Sequence, residues 1–487
     1  MTELHKAVLA SFSQFSDRCA VSSGRDNTSY AELQDLIIGL QRRIAGKCAV
    51  GILSTRRLDA YVAVLASFLS GIRFVPMNPS LPVERLAAIA TTGQVDLIVC
   101  DRSSHALAVE LNIATVSIDD AAQSATGSRS QFLLADNGPA AIAYQMFTSG
   151  STGVPKGVPI SYGNLSHYVI EITRLLKLGT GGRYSQLFDL SFDLSMHDIF
   201  VAIANGGTLV PAGPMDLLMP HKYIEKGEID HWFSVPVLAM VSARGQGDKL
   251  PPRQLQSALF CGEALPTDYA LGFQKFIAGG GPLYNLYGPT EATIAFTAKR
   301  FDNLQTQFST VPLGPVFGEN KIAIETDAGD VVPANPGTTG ELLLGGPQVF
   351  AGYEPDLGDT MFVIAQGVRF YRSGDLVDVV EDEIIHLGRK DSQIKMHGYR
   401  IELGEIEAVF RNQFNCNSAA AIVIGAGEQG RIVLAYEHSQ TIDDQSGLAD
   451  ILPDYMIPKA TLRVDVMPTN INGKIDRKSL SQLPWPA

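Results

Sequence analysis

The sequence predicts an α/β protein with a large N-terminal domain and a smaller α+β domain at the C-terminal end. In the first part, short apolar runs alternate with helical patterns, a spacing typical of parallel α/β units. After about residue 310, short strand patterns between Gly, Pro and Asp turns indicate a β-rich unit. Near the end, one helical pattern and two strand patterns predict a separate α+β domain.

The spacing of apolar residues predicts the individual elements. In the N-terminal part we predict strands at 50–53, 74–76 and 96–100 and a helix at 58–69. In the later parts we predict strands at 341–344, 383–386, 419–424 and 431–437 and a helix at 402–414. The polar segment 388–391 interrupts this pattern, so we place the domains at 1–390 and 391–487.

Length, charge and cysteine content restrict the class of protein. The chain has 487 residues, of which 45% are hydrophobic and 18% charged, as is typical of a globular enzyme with more than one core. A net charge of −13 argues against non-specific nucleic-acid binding, and we expect no nucleic-acid partner. The five cysteines have no paired spacing, so we expect neither disulfides nor a zinc site. Because no membrane-length apolar run or signal peptide is visible, we expect a cytoplasmic protein that does not contact membranes.

The most informative segment is 147–157, which reads FTSGSTGVPKG and follows an apolar strand pattern. Glycines allow close approach of the backbone to a ligand, and hydroxyl and amide groups can surround phosphate oxygens. Lys156 adds a positive charge. The alternative is a flexible turn, but the preceding strand and the Lys-Gly ending favour phosphate binding. The spacing differs from that of the P-loop of NTPases, because Gly157 follows Lys156.

A second segment contains two consecutive FDLS sequences, at 188–191 and 192–195. Residues 196–204 have helical periodicity and end at an Asn-Gly-Gly signal. Asp193 therefore lies near a helix start, where a negative charge is favoured, and its carboxylate could bind a substrate ammonium. We expect Asp189 to lie still on the preceding strand, as the weaker candidate.

Through these motifs the chain resembles the adenylate-forming (ANL) enzymes, which include amino-acid adenylation domains, acyl-CoA synthetases and luciferases. Beyond the two segments above, the matching motifs share the family's order along nearly the whole chain. They are NLYGPTE at 285–291, GEL at 340–342, YRSGDL at 371–376, GRKD at 388–391, GYRIE at 398–402, LPDYMIP at 452–458 and NGKIDR at 472–477. The resemblance implies layered α/β subdomains, a small β-barrel-like unit and a mobile C-terminal domain.

The resemblance also implies ATP and Mg²⁺ as cofactors and assigns residues to them. Residues of the phosphate loop would bind the phosphates: Thr148, Ser149, Gly150, Ser151, Thr152, Gly153 and Lys156. Asn285, Tyr287 and Gly288 would lie at the nucleotide, with Tyr287 stacked on adenine. Asp375 would accept the ribose hydroxyls, and Arg389 would lie near the ribose. Thr290 and Glu291 would handle the α-phosphate and the metal, and Lys474 would be the catalytic lysine.

A second half-reaction follows from the same resemblance. The C-terminal domain would rotate about Asp391, and Gly398 would let a phosphopantetheine thiol pass close to the backbone. His397 stands where many family members have Arg. D-Alanine:carrier-protein ligases commonly have the same His-Gly-Tyr-Arg sequence, so this departure points towards them.

Alignment with the family on these motifs also implies which residues line an amino-acid pocket in this chain. Its residues would be Asp193, Leu194, His197, Val237, Leu259, Cys261, Gly262, Leu286, Ile294 and Ala295. The side chains are nearly all apolar, which predicts a small or medium apolar substrate side chain. Cys261 and Ala295 agree with D-alanine ligases, whereas Leu194, Leu259 and Leu286 resemble proline-activating enzymes. Both enantiomers of alanine and a proline-like amino acid therefore remain candidate substrates. His197 is either a polar residue of the pocket wall or a histidine of the core.

We expect a free-standing ligase that loads a separate phosphopantetheinylated carrier protein, as a monomer or weak dimer. One alternative is an acyl-CoA synthetase with CoA as acceptor, against which Asp193 and the NGKIDR ending argue. Another is a non-catalytic protein with the same fold. The presence of Lys156, Glu291, Asp375, Arg389 and Lys474 argues against it.

Overall fold

The structure is a computed structural model. It describes residues 1–24, 26–117, 131–135, 137–148, 155–247, 249–301, 307–390, 393–396, 399–416, 418–425, 430–442, 446–469 and 475–486, with only the backbone of Lys395 and Arg400. Residue contacts divide the chain into two compact units. The first comprises Met1–Pro79, Thr92–Met146 and Gly157–Lys390, and the second comprises Ser80–Thr91, Phe147–Lys156 and Asp391–Ala487.

Thirteen α-helices lie in the described part of the chain, and two of them illustrate capping residues visible in the sequence. The α-helices are α1 (Glu3–Gln14), α2 (Tyr30–Ile44), α3 (Leu58–Ser70), α4 (Val83–Thr92), α5 (His105–Glu110), α6 (Tyr162–Leu176), α7 (Leu194–Ala204), α8 (Pro214–Leu218), α9 (Pro220–Lys226), α10 (Pro236–Gln246), α11 (Thr267–Phe273), α12 (Leu403–Phe414) and α13 (Arg477–Ser481). Ser29 caps α2 in a capping box with Glu32. Gly71, with a φ of 70°, ends α3. In the described part of the chain, no helix has the length and apolar character needed to cross a membrane.

One six-stranded sheet precedes and flanks the predicted phosphate loop. Its strands are β3 (Ala49–Leu53), β4 (Arg73–Met77), β5 (Leu97–Cys100), β6 (Thr115–Ser117), β7 (Ile142–Thr148) and β8 (Lys156–Ser161), in the order β6-β5-β3-β4-β7-β8. The pairs of β3 with β4 and β5, and of β4 with β7, are parallel. The strands are mostly buried, which explains their continuous apolar runs and confirms the predicted α/β class.

An eight-stranded sheet of the first unit positions the predicted amino-acid site. Its strands are β1 (Cys19–Ser23), β2 (Asp26–Ser29), β9 (Arg183–Gln186), β10 (Thr208–Pro211), β11 (His231–Ser234), β12 (Ser257–Phe260), β13 (Leu283–Tyr287) and β14 (Thr297–Arg300), in the order β14-β13-β12-β11-β9-β10-β1-β2. Strands β9, β11, β12 and β13 are mutually parallel. Their carboxyl ends therefore lie at one edge, where ligands of open α/β sheets bind.

The β-rich part is an antiparallel sheet that carries the predicted ribose-binding residues. Its strands are β15 (Lys321–Glu325), β16 (Val331–Val332), β17 (Thr339–Gly345), β18 (Phe362–Ala365), β19 (Val368–Val380) and β20 (Glu383–Arg389). Their order is β16-β15-β17-β19-β18, with β20 also paired to β19. Register shifts interrupt the pairing of β19 near Asp375, a type of irregularity that is common beside functional sites.

The second unit contains a helix packed on a three-stranded sheet. Its strands are β21 (Gln393–Met396), β22 (Tyr399–Glu402), β23 (Ser418–Ile424), β24 (Arg431–Glu437) and β25 (Ala460–Arg463). Strand β24 lies between β23 and β25, and β21 pairs with β22. Buried residues of α12, such as Ile406 and Phe410, share a core with Leu434 and Tyr436 of β24. The predicted α+β character of this part is confirmed.

Candidate active site

Asp193 lies where the loop after β9 meets the first turn of α7. Its backbone has a φ of −62° and a ψ of −21°, and within the described residues its carboxylate makes no capping bond to α7. Instead, Oδ2 accepts a hydrogen bond of 3.1 Å from the backbone N–H of Ile294. Asp193 is only 7% exposed. A buried carboxylate therefore lies beside the turn that follows β13.

The turn that holds Ile294 is strained. Thr293 and Ile294 have φ values of 59° and 69°, and β-branched residues rarely adopt this left-handed region. Nε2 of the buried Gln348 donates to the carbonyl oxygens of Ala292 (3.2 Å), Thr293 (3.2 Å) and Ala295 (2.7 Å). Gln348 thus holds the turn in the conformation that directs the Ile294 N–H at Asp193.

Most of the predicted pocket residues are buried in one hydrophobic cluster. These residues are Leu194, Leu259, Cys261, Leu286, Ile294 and Ala295. Gly262 has a φ of 96°, which favours glycine, and Val237 is half-buried. The structure therefore brings an acidic group and a set of apolar side chains together at the carboxyl edge of the sheet.

His197 is a buried, neutral residue of α7. Its Nδ1 lies 2.8 Å from the hydroxyl of Tyr168 in α6, and its ring packs on Phe233 with 4.3 Å between ring centroids. Burial lowers the pKa of His197 to about 3, with a smaller contribution from His231. A neutral imidazole does not pair with a charged substrate side chain, which agrees with an apolar pocket.

Asp375 is the centre of a buried polar cluster in the β-rich sheet. Its Oδ2 accepts from the hydroxyl of Tyr287 (2.6 Å), and its Oδ1 accepts from Nη1 of Arg389 (3.0 Å) and lies 3.3 Å from Nε2 of His386. Burial and the Asp375 charge raise the pKa of Tyr287 well above its ordinary value, so its phenol stays protonated. Tyr287, Asp375 and Arg389, all predicted at the nucleotide, are thus joined by hydrogen bonds.

Glu291 is fully buried in the short helix Thr290–Ala292. Its Oε1 accepts a hydrogen bond of 2.6 Å from the hydroxyl of Tyr353, which in turn lies 3.1 Å from that of Tyr371. The described residues contain no cluster of three or more His, Cys, Asp or Glu side chains arranged for a metal ion. A single carboxylate still fits Mg²⁺, which commonly binds through one or two carboxylates together with phosphate oxygens and water.

Two further predicted nucleotide residues have visible structural roles. Nδ2 of Asn285 donates to the carbonyl oxygens of Val311 and Pro312, at 2.9 Å each. A Cβ at Gly288 would come within 2.7 Å of the Ala295 backbone, so only glycine allows this turn to approach so closely.

Several predicted residues lie outside the described part of the chain: Ser149, Gly150, Ser151, Thr152, Gly153, Asp391, Gly398 and Lys474. Thr148 ends β7 and Lys156 begins β8, so these two residues mark the ends of the predicted phosphate loop. Their roles stay predictions.

Four further residues at the site could not be predicted from the sequence: Tyr168, Gln348, Tyr353 and His386. Each contacts a predicted site residue through a hydrogen bond, and none belongs to a recognised motif. The contacts of Tyr168, Gln348 and Tyr353 join segments that are distant in sequence, whereas His386 lies on the strand paired with that of Asp375. The prediction that Asp189 lies on the preceding strand is wrong. Strand β9 ends at Gln186, and Oδ1 of Asp189 accepts from N and Oγ of Ser191 in a local turn.

Comparisons with known proteins agree with this geometry. A family model described as AMP-binding enzyme matches residues 9–354. An L-proline–[L-prolyl-carrier protein] ligase of Pseudomonas fluorescens is 31% identical over 99% of both chains. A D-alanine–D-alanyl carrier protein ligase of Bacillus anthracis is 32% identical over 84% of both chains. Malpinin synthetase of Mortierella alpina is 32% identical over 95% of this chain, which spans only 6% of that protein.

A solved structure is similar over nearly the whole chain. The Vibrio cholerae adenylation domain AlmE, in complex with glycyl-adenosine-5'-phosphate, has a TM-score of 0.89 and 31% sequence identity. The match covers 99% of this chain and 97% of that one. Taken with the buried Asp193 and the Asp375 cluster, these matches establish that the chain belongs to the family of AMP-binding enzymes.

Proposed function

We propose that the protein activates a small apolar amino acid with ATP and transfers it to the phosphopantetheine thiol of a separate carrier protein. The observation that carries the proposal is the buried Asp193 carboxylate, fixed by the Ile294 N–H among apolar side chains. A buried carboxylate can pair with a positive group, and the ammonium of an α-amino acid is such a group. A fatty or aryl acid has no such group.

In the first half-reaction, an oxygen of the substrate carboxylate would attack the α-phosphorus of ATP. The bond from that phosphorus to the bridging oxygen would break, and pyrophosphate would leave with the bonding electrons. Both reactants are anions, so cationic side chains and N–H groups must offset their repulsion. Lys156 and the loop at 148–153 would bind the phosphates, and Lys474 would stabilise the charge that develops at the reacting oxygens.

The Asp375 cluster supports the nucleotide half of the site. Asp375 would accept hydrogen bonds from the ribose hydroxyls, because a carboxylate offers two oxygens as acceptors. Arg389, already bonded to Asp375, would hold that carboxylate ionised and oriented. Glu291 would hold Mg²⁺, which would neutralise phosphate charge.

The substrate side chain is expected to be small. Apart from Asp193, the predicted lining residues carry no charge, and neutral His197 leaves no charged partner for a substrate side chain. The relatives named for proline and D-alanine and the structure with glycyl-AMP all concern small amino acids. Glycine, both alanine enantiomers and proline are therefore the first candidates.

In the second half-reaction, the carrier thiol would attack the carbonyl carbon of the aminoacyl-AMP. The thiol proton would be lost, the bond to the phosphate oxygen would break, and AMP would leave. Asp391 would be the hinge and Gly398 would line the passage for the pantetheine arm. The names of the carrier-protein ligases support a carrier as acceptor in place of CoA.

ATP–pyrophosphate exchange with a panel of acids tests the proposal. The panel contains glycine, L- and D-alanine and L-proline beside fatty and aryl acids. We expect exchange with at least one amino acid. Exchange confined to the fatty or aryl acids would reject the proposal in favour of an acyl-CoA synthetase.

A further inference from the structure

Strand β19 has a bulge at the segment that carries Asp375. In its pairing with β17, the contacts pass directly from Arg372 to Leu376 while β17 advances by only two residues. Three residues, 373–375, therefore stand opposite a single residue of β17. A bulge of this kind interrupts the regular backbone pairing and redirects the side chains that it carries. The position of the Asp375 carboxylate thus depends on what holds the bulge.

Glu341, in the GEL motif on β17, holds the bulge through a buried carboxylate. Its Oε1 accepts a hydrogen bond of 3.0 Å from the backbone N–H of Gly374. Its Oε2 accepts from Nζ of Lys390 at 3.0 Å, and the backbone N–H of Lys390 donates to the Gly374 carbonyl oxygen at 2.8 Å. Both backbone polar groups of Gly374 are therefore bonded, and the bond to the carboxylate is of the stronger, charge-assisted kind.

The Gly374 peptide directly precedes Asp375. Gly374 has a φ of 75°, in the left-handed region that favours glycine, so this turn is a local departure from strand geometry. Ser373 provides a second attachment, because its hydroxyl donates to the Leu342 carbonyl oxygen at 2.6 Å and accepts from the Asp375 N–H at 3.1 Å. Without Glu341 the Gly374 N–H would lose its acceptor inside the protein, and the bulge would have to rearrange.

We propose that Glu341 is a positioning residue for the nucleotide, because its bond to Gly374 fixes the bulge that presents Asp375 to the ribose. The inference rests on the proposed function, in which Asp375 accepts the ribose hydroxyls. A carboxylate that binds two hydroxyls must be held closely in place by its supporting bonds. The Lys390 side chain is 63% exposed, so water can replace its bond to Glu341. The bond to Gly374 is therefore the one on which nucleotide binding depends.

Calorimetric titration of the full chain with ATP and Mg²⁺, without any amino acid, measures this role directly. Glu341→Leu removes both acceptor oxygens, and we expect the Kd for ATP to rise about tenfold. Glu341→Gln keeps one oxygen for the Gly374 N–H, so its Kd should stay within threefold of the wild-type value. A Kd that rises equally in both variants, or in neither, would overturn the inference.

Asp230→Leu is the matched control for general destabilisation. Asp230 is also a buried carboxylate that accepts from a backbone N–H, that of Arg183 at 2.9 Å, and pairs with a partly exposed cation, Arg253. None of these three residues belongs to the predicted site. We expect both Leu variants to have a lower thermal midpoint and only Glu341→Leu to bind ATP more weakly. Equal increases in Kd would assign Glu341 a purely structural role and overturn the inference.

A double-mutant cycle tests whether Glu341 acts through Asp375. If it does, Glu341→Leu combined with Asp375→Asn should bind ATP within threefold of Asp375→Asn alone. A Kd that rises by the product of the two single effects would show independent actions and overturn the inference. If the wild-type protein binds ATP but activates no amino acid of the panel, the proposed function fails, while these Kd values still decide the role of Glu341. A wild-type protein that binds no ATP would overturn both.

Discussion

Replacing Gln348 by Met tests whether the strained turn at 292–295 is held for substrate binding. Gln348 shares its two amide hydrogens among three backbone carbonyl oxygens, and its Oε1 accepts from Nδ2 of Asn320 at 2.7 Å. Met has a similar length and flexibility but neither donates nor accepts these bonds. The turn would lose the contacts that oppose the positive φ values of Thr293 and Ile294.

The expected magnitudes follow from these contacts. Two to three buried hydrogen bonds at about 1 kcal/mol each, with some carbonyl oxygens left unsatisfied, give a loss of about 2–4 kcal/mol in the free energy of unfolding. The two strained residues store about 1–3 kcal/mol each, so the turn will relax. The Ile294 N–H then no longer bonds Asp193, and the loss of a bond to a charged group, about 1.5–3 kcal/mol, raises the amino-acid KM about 10- to 100-fold.

The assay compares urea unfolding and pyrophosphate exchange for Gln348→Met and Gln41→Met. Gln41 is an equally buried glutamine whose side chain makes three bonds, to Ser70 and to the backbone of Leu133, and none of these bonds involves a predicted site residue. We expect both variants to be destabilised and only Gln348→Met to raise the amino-acid KM. Equal KM values in the two variants would refute the role of Gln348 in the site.

Three further predictions concern the nucleotide, the metal and pH. Asp375→Asn should raise the ATP KM at least tenfold in steady-state exchange without changing the amino-acid KM, because an amide offers one acceptor oxygen and leaves the partly buried Arg389 without its counter-charge. An unchanged ATP KM would contradict this. Glu291→Gln should increase the Mg²⁺ concentration needed for half-maximal exchange, measured by Mg²⁺ titration at fixed ATP; an identical titration curve would speak against metal binding by Glu291. The pKa of His197 is about 3 in the folded state, below its ordinary value of 6.5, so between these pH values only the unfolded chain protonates this histidine. The contribution of neutral His197 to the free energy of unfolding is therefore complete above pH 6.5 and is lost as the pH falls towards 3. We therefore expect the unfolding free energy of His197→Gln to fall less steeply than that of the wild-type protein between pH 6.5 and 4.5, by up to about 1.4 kcal/mol per pH unit. Urea unfolding at a series of pH values measures both slopes. Equal slopes for the two proteins would show that His197 is not buried as a neutral group.

Apolar periodicity predicted the elements well, because each helix or strand buries its own residues. The helix expected at 402–414 is Leu403–Phe414, and the strand expected at 431–437 is Arg431–Glu437. The helix after Asp193 was also expected, since its periodic residues end at Asn205. Asp189 was placed wrongly because an Asx-type turn, which depends on side-chain hydrogen bonds, ends the strand earlier than the apolar pattern suggests.

The long-range contacts of the site could not be predicted from sequence. Gln348 bonds a turn more than fifty residues earlier, and its own segment contains no motif for such a role. The hydroxyl of Tyr168 in α6 contacts His197 in α7, and this contact shows His197 as a buried, hydrogen-bonded residue whose pKa is lowered by burial. Such contacts depend on how the elements pack, and a linear pattern does not record this packing.

The most direct test of the account compares the wild-type protein with Asp193→Asn in pyrophosphate exchange on the best amino acid of the panel. Asn keeps an oxygen for the Ile294 N–H but removes the charge that would pair with the ammonium. Leaving a buried charge without its partner costs about 3–5 kcal/mol, so we predict that kcat/KM for the amino acid falls at least 100-fold. A kcat/KM within threefold of the wild-type value would contradict the claim that Asp193 selects an amino acid.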